Sequence, residues 1–253
     1  MTFSDLRYSE VKLGKTGLQT VVTQLRFNPI LKIGQEAPAD FQDRVRHLFP
    51  KFVREERIEF RLAFGEAAEA VPPNLEAPQR GPASWRFSTE DDVWVAGLSA
   101  NVLSLETARY EDFLQFEERF AILHRALTAV YAIDHYVRVG LRFINIIESE
   151  HFDGELTEKF NPQLLGPLAD GVIGSDVREG RQTFVISSDD WTITVRHGTE
   201  NGNYRLDIDH ATEARVAADQ IDERLRAFNS RAYQLFRWAI SDGLHQQMEP
   251  ENT

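Results

Sequence analysis

Residues 136–147 read YVRVGLRFINII, and residues 25–30 read LRFNPI. The first is a run of β-branched, aliphatic and aromatic residues interrupted by Arg138, Arg142 and Asn145, which predicts one long strand. The second closes a similar run, 18–27 (LQTVVTQLRF), that stops at the turn pair Asn28-Pro29. The shared Leu-Arg-Phe stands in the first strand of each half of the chain. Further matches follow in the same order. Asp91-Asp92-Val93-Trp94-Val95 aligns with Asp189-Asp190-Trp191-Thr192-Ile193, and Phe116-Glu117-Glu118-Arg119-Phe120 with Ile221-Asp222-Glu223-Arg224-Leu225. Ordered matches in matching strand, hairpin and helix contexts predict a tandem duplication, with pseudo-repeats 1–136 and 137–253 forming one structural unit.

Each half reads β-α-β-β-β-(β)-α. After strand 18–27, a helix beginning at Pro38 carries Phe41, Val45, Leu48, Phe49 and Phe52 at three- and four-residue steps. Pro50 kinks or stops it before the pattern passes into period two through Ile58, Phe60 and Leu62. Residues 66–82 hold Pro72, Pro73, Pro78 and Pro82 and predict an exposed extended loop. Strands 84–88, 93–98 and 102–105 follow. A helix N-capped by Thr107 then runs to about residue 134, with Phe113, Phe116, Phe120, Leu123, Leu127 and Val130 as its apolar stripe. In the second half, strand 136–147 is followed by a short helical or irregular piece at 161–168 and strands 183–186, 191–195 and 204–208, the last two joined by the Asn201-Gly202 turn. The closing helix, 213–247, carries Ile221, Leu225, Phe228, Leu235, Phe236, Ile240 and Leu244. An antiparallel sheet with one apolar face needs that face covered, and one long amphipathic helix per half does so. The expected fold class is therefore α+β: a curved antiparallel sheet backed by two long helices.

This element order resembles the duplicated fold of TATA-box-binding protein and the wider helix-grip class. The resemblance is one of topology, and topology alone carries no function. A second resemblance lies in the sequence itself. TARY (107–110) before Phe113 and Phe116, GLRFIN (140–145), and a long closing helix after LDIDH (206–210) are similar to a sporadically distributed bacterial family of uncharacterised proteins of about 250 residues, over nearly the whole chain. That family supplies no catalytic residues. Its scattered distribution is typical of mobile accessory genes such as defence or toxin–antitoxin components.

The chain has 253 residues, 42% hydrophobic and 27% charged, a globular balance that argues against a disordered chain or a coiled-coil rod. No run approaches the roughly 18 apolar residues of a membrane span, and residues 1–11 are polar and acidic, so a cytoplasmic protein is expected. With 28 basic against 40 acidic residues the net charge is −12, which disfavours nucleic acid and anionic lipid as partners. Cysteine is absent, which removes disulfides, thiolate catalysis and cysteine-based metal sites.

Gly14-Lys15-Thr16 fails as a phosphate loop, because Ser9 stands where the first glycine belongs and a strand follows. There is no GxGxxG, GxSxG or HExxH, and the seven histidines lack metal-ligand spacing. Asp207, Asp209 and His210 form the nearest approach to a site. One carboxylate there can orient an imidazole or join a hard-metal site, or the group is a solvent-facing cluster beside a helix N-terminus. The pairs Asp91-Asp92 and Asp189-Asp190 suit acidic hairpin turns. Arg44, Arg46, Lys51, Arg54, Arg57 and Arg61 are interleaved with Asp43, Glu55, Glu56 and Glu59 and read as a solvated mixed-charge face.

Arg138 and Arg142 share parity in their strand, and Arg26 is the pseudo-equivalent of Arg142. One sheet face then presents arginines to an acidic partner or ligand, unless each is paired with an acidic side chain. Asn145, polar in an apolar strand, must be solvated, paired or bound. Trp85 and Trp94 belong to the core or to an interface. The candidate binding residues are thus Arg26, Arg138, Arg142, Asn145, Trp85 and Trp94, with no catalytic residue, metal or cofactor expected. The functional expectation is a non-catalytic protein-interaction module with a protein partner, homodimerisation being an option, as the regulatory or neutralising member of a bacterial defence or toxin–antitoxin pair. The alternative is a small-ligand-binding or enzymatic helix-grip protein whose sheet–helix cavity is lined by Arg142, Asn145 and tryptophans.

Overall fold

The computed structural model describes residues 3–55, 84–169, 172, 176–177, 179–200 and 202–251. The first half holds β1 (Leu18–Arg26), α1 (Leu31–Gln35), α2 (Ala39–Val45), β2 (Lys51–Glu55), β3 (Ser84–Ser88), β4 (Trp94–Ser99), β5 (Val102–Thr107) and the long α3 (Phe113–Tyr131). The second holds β6 (His135–Tyr136), β7 (Arg138–Ile147), α4 (Leu156–Lys159), α5 (Pro162–Leu165), β8 (Gly180–Ser187), β9 (Thr192–Glu200), β10 (Asn203–Thr212), β11 (Val216–Ala217), the long α6 (Ile221–Ala239) and α7 (Asp242–Gln247). β6 pairs with β11, and the other nine strands form one curved antiparallel sheet in the order β2-β3-β4-β5-β1-β7-β10-β9-β8.

That order reads alike in both directions from the β1–β7 seam: β5, β4 and β3 on one side, β10, β9 and β8 on the other. In each half one long strand ahead of the long helix, β5 or β10, folds back beside β1 or β7. Gln24 pairs with Gly140 at the seam, and Arg26 and Arg142 each stand two residues beyond that pair on their own strand. The two arginines aligned in sequence are thus related by a local two-fold. The α+β class, with a curved antiparallel sheet and two long helices, is the observed fold.

Several element limits differ from the sequence expectation, each for a local reason. The helix after Pro38 ends at Val45, short of Pro50, which cannot continue a helix and is followed directly by strand β2. Phe52 consequently lies on strand β2 rather than on a helical stripe. Asp112, not Thr107, caps α3 by accepting from Gln115 N at 2.8 Å. Thr107 instead ends β5, where its hydroxyl accepts from Arg109 N. The closing helix begins at Ile221 rather than 213, since β10 runs to Thr212 and β11 pairs with β6 before it. It also breaks at Ile240, which bridges to Phe160 while Ser241 N donates to Lys159 O. Ser241 then caps α7 through Leu244 N. Residues 58–62, the proline-rich stretch 66–82, Arg57, Arg61 and Asn201 lie outside the described residues; Gly202 has a φ of +79°, as its turn requires.

One parity of the sheet is apolar and faces the helices. Val21, Leu25, Leu103, Leu105, Val139 and Leu141 pack against Phe116, Phe120, Leu123 and Leu127 of α3 and Leu225 and Phe228 of α6. Ile193, Val195, Leu206 and Ile208 pack against Leu235 and Phe236 further along α6 and against α5 and α7. An ion pair of 2.7 Å between Glu117 and Arg226 ties α3 to α6. Among the described residues no helix is long and apolar enough to cross a membrane.

The edge of this sheet depends on one glycine. Gly198 in β9 has a φ of +147°, and a Cβ there would lie 1.7 Å from the carbonyl oxygen of Gly180 in β8. Gly198→Ala is expected to cost about 2 kcal/mol, since strain of this kind typically costs 1–3 kcal/mol and the edge strand can shift. Amide exchange should quicken in β8 and stay slow in β1 and β7. Unchanged protection of β8 would show that the edge yields without loss.

Candidate functional site

The second sheet face has the opposite parity, and none of its residues belongs to either apolar cluster. The register sets Arg26 beside Arg138, Arg142 beside Asp209, and Asp207 beside Arg196. Charged side chains therefore form a band running from β1 across β7 and β10 to β9. Arg142 makes a two-pronged contact with Asp207, Nε to Oδ1 at 2.8 Å and NH2 to Oδ2 at 2.6 Å. Arg205 and Arg196 stand 3.7 and 3.9 Å from the same Oδ2, and Arg196 is 3.7 Å from Asp209 Oδ2. Arg138 lies 3.9 Å from Glu213 and is buried, while Arg26 donates to Gln24 on its own strand. Gly140 makes this packing possible: a Cβ there would meet the Arg138 guanidinium at 2.8 Å. Four guanidinium groups, those of Arg138, Arg142, Arg196 and Arg205, thus act on two carboxylates that are only 1% and 3% exposed, and Arg26 extends the band beside Arg138.

The two aspartates differ. Asp207 is fully engaged, whereas Asp209 keeps a buried Oδ1 with no hydrogen-bond partner among the described residues. Burial pushes the Asp209 carboxyl up to about 6, against the pull of Arg138, Arg142 and Arg196. Near neutral pH the band therefore carries excess positive charge in a protein whose net charge is −12.

His210 does not join this group. It points to the helix side, wholly buried, with its ring 3.8 Å from Phe228 and 5.3 Å from Trp191. No aspartate orients it, and burial pushes its imidazole down to about 3. Among the described residues no group of three His, Asp or Glu is placed to hold a metal ion.

The remaining candidates separate by face. Arg26, Arg138 and Arg142 share the arginine band, and Arg142 is paired with an acidic side chain. Trp85 and Trp94 sit in the core, 4% and 5% exposed, with the Trp85 indole N–H donating to Ile33 O at 2.7 Å. Asn145 faces the helices, where it lines a cavity of about 280 Å³ between the sheet, the start of α3, α6 and the segment 10–18. Arg142 and the tryptophans do not line that cavity.

Arg196 and Arg205 were missed in sequence. The strand read as 191–195 stopped one residue short of Arg196, and the one read as 204–208 stopped one short of Asp209. The available signal was parity: Arg205, Asp207 and Asp209 alternate in β10 as Arg138 and Arg142 do in β7. No protein-family model matches the chain, and no curated protein is similar to it.

Proposed function

We propose that the protein is a non-catalytic interaction module whose arginine-bearing sheet face receives an acidic segment of a protein partner. The observation that supports this reading is the imbalance within the band around Asp207 and Asp209. Two buried carboxylates and the exposed Glu213 stand among five guanidinium groups, of which Arg205, Arg196 and Arg26 keep solvent-exposed area. Carboxylates of a partner complete the band with charge-assisted, two-pronged hydrogen bonds, which arginine forms better than lysine. An otherwise acidic surface opposes an acidic protein everywhere else, so the same charge pattern sets orientation. The likeness to a scattered bacterial family suggests that the partner belongs to a defence or toxin–antitoxin pair in which this chain has the regulatory or neutralising part.

The test is native mass spectrometry of the tagged protein purified from its own cells at low salt. A stoichiometric protein partner is expected with the parent chain, and at least a tenfold loss of its occupancy in Arg26→Glu/Arg205→Gln at unchanged thermal midpoint. A partner retained in full by that variant, or bare protein from both preparations, would overturn the reading.

A further inference from the structure

The cavity on the helix side carries a second, independent site. Its buried end is made by Asn145 and Ile208 of the sheet, its walls include Tyr110, Phe143 and Tyr233, and segment 10–18 closes one side. That segment is held in place by α6: Tyr8 exchanges two hydrogen bonds with the Gln234 side chain, and Val11 N donates to the Tyr233 hydroxyl. Tyr110 and Phe143 meet edge to face at 6.0 Å and together form one aromatic wall of the slot.

Two polar features mark the ends of this slot. Asn145, 4% exposed, donates its Nδ2 to Leu206 O at 3.1 Å, which fixes the amide and leaves Oδ1 with no donor among the described residues. An acceptor that faces a cavity and has no protein donor is a hydrogen-bonding position a ligand can use. At the mouth stand Glu10, Glu111 and Asp112 against a single cation, Lys12. A positive group is favoured there, and the aromatic walls add cation–π attraction.

We propose that this cavity binds an arylalkylamine: a flat aromatic body with a neutral hydrogen-bond donor at its inner end and an ammonium at its outer end. The indole or phenol hydrogen is donated to Asn145 Oδ1, the ring lies between Tyr110, Phe143 and Tyr233, and the ammonium sits among the mouth carboxylates. About 280 Å³ suits a molecule of this size. The site lies on the opposite side of the sheet from the arginine band, so either proposal stands or falls without the other.

Isothermal titration calorimetry with four probes tests it: tryptamine, tyramine, 2-phenylethylamine and indole-3-propionate. Tryptamine or tyramine is expected to bind, with 2-phenylethylamine, which lacks the inner donor, and indole-3-propionate, which reverses the outer charge, each at least tenfold weaker. Glu10→Lys/Glu111→Lys, at exposed positions, should invert the preference between tryptamine and indole-3-propionate. Asn145→Leu should level tryptamine with its donor-free analogue. Absence of binding by both donor-bearing amines would overturn the proposal, as would equal affinity for amine and acid that the mouth reversal leaves unchanged.

Discussion

Asp207→Asn is expected to destabilise the protein by about 3–5 kcal/mol, the range seen when one partner of a buried ion pair is removed. Asp207 is 1% exposed and is the point on which Arg142 of β7, Arg196 of β9 and Arg205 of β10 converge. The amide keeps one acceptor for Arg142 but removes the charge. The nearly buried Arg142 guanidinium is then left without its ion-pair partner, and Arg196 and Arg205, which keep part of their area in solvent, repel it. The predicted loss is large because an orphaned charge costs more than the intact pair gains. Replacing both members with apolar residues, Arg142→Met/Asp207→Leu, should therefore recover most of it. Urea unfolding at pH 7.5 reads both variants, with the midpoint moving and the slope constant. Asp207→Asn with the parent's midpoint would mean that the band does not hold β7, β9 and β10 together.

Much of this fold is legible in the sequence because its signals recur in the same order in the two halves of the chain. The Leu-Arg-Phe echo, the acidic hairpin turns and the helical stripes of α3 and α6 are local signals, and local signals survive into the structure. Elements set by distant pairing are not legible. Ile240 looks helical, yet it forms a bridge with Phe160, eighty residues away in the chain. The small pair of β6 with β11 likewise shortens the last helix at its start. Two-residue pairings leave no periodicity to read.

The arginine band was half visible. Parity placed Arg138 and Arg142 on one face, and duplication added Arg26. The rest is hidden because the apolar pattern stops at Val195 and Ile208, whereas Arg196 and Asp209 lie inside strands that run on to Glu200 and Thr212. Asn145 stands out in the sequence as a polar group in an apolar strand. Its even spacing from Phe143 and Ile147 puts it on the helix side, where it lines the cavity and lies off the band. Trp85 and Trp94 were ambiguous by type alone, and the packing of α1, α2 and α3 places both in the core.

His210 should contribute a loss of stability toward acid that outweighs the opposing gain from Asp209, and His210→Phe should remove that loss. The imidazole is wholly buried between Phe228 and Trp191, with neither ring nitrogen bonded among the described residues. Its folded value near 3 lies below the unfolded value of 6.5. Above 6.5 the ring is neutral in both states and costs nothing in protonation. As pH falls from 6.5 toward 3 only the unfolded chain takes up the proton, so stability is progressively lost, by about 3 kcal/mol on reaching pH 4. Asp209 works in the other sense. Its folded value near 6 exceeds the ordinary 3.8, so the folded state binds the proton first and gains stability as pH falls through 6 toward 4. In the parent the two slopes oppose each other, with the histidine the larger. Phenylalanine at position 210 preserves the stack on Phe228, removes two unsatisfied nitrogens and leaves the aspartate slope exposed. Between pH 7 and 4 the variant should therefore lose about 3 kcal/mol less than the parent in urea unfolding, with equal or higher stability at pH 7.5. A variant whose pH profile parallels the parent's would show that His210 is protonated within the fold, and that water or a rearranged neighbour reaches it there.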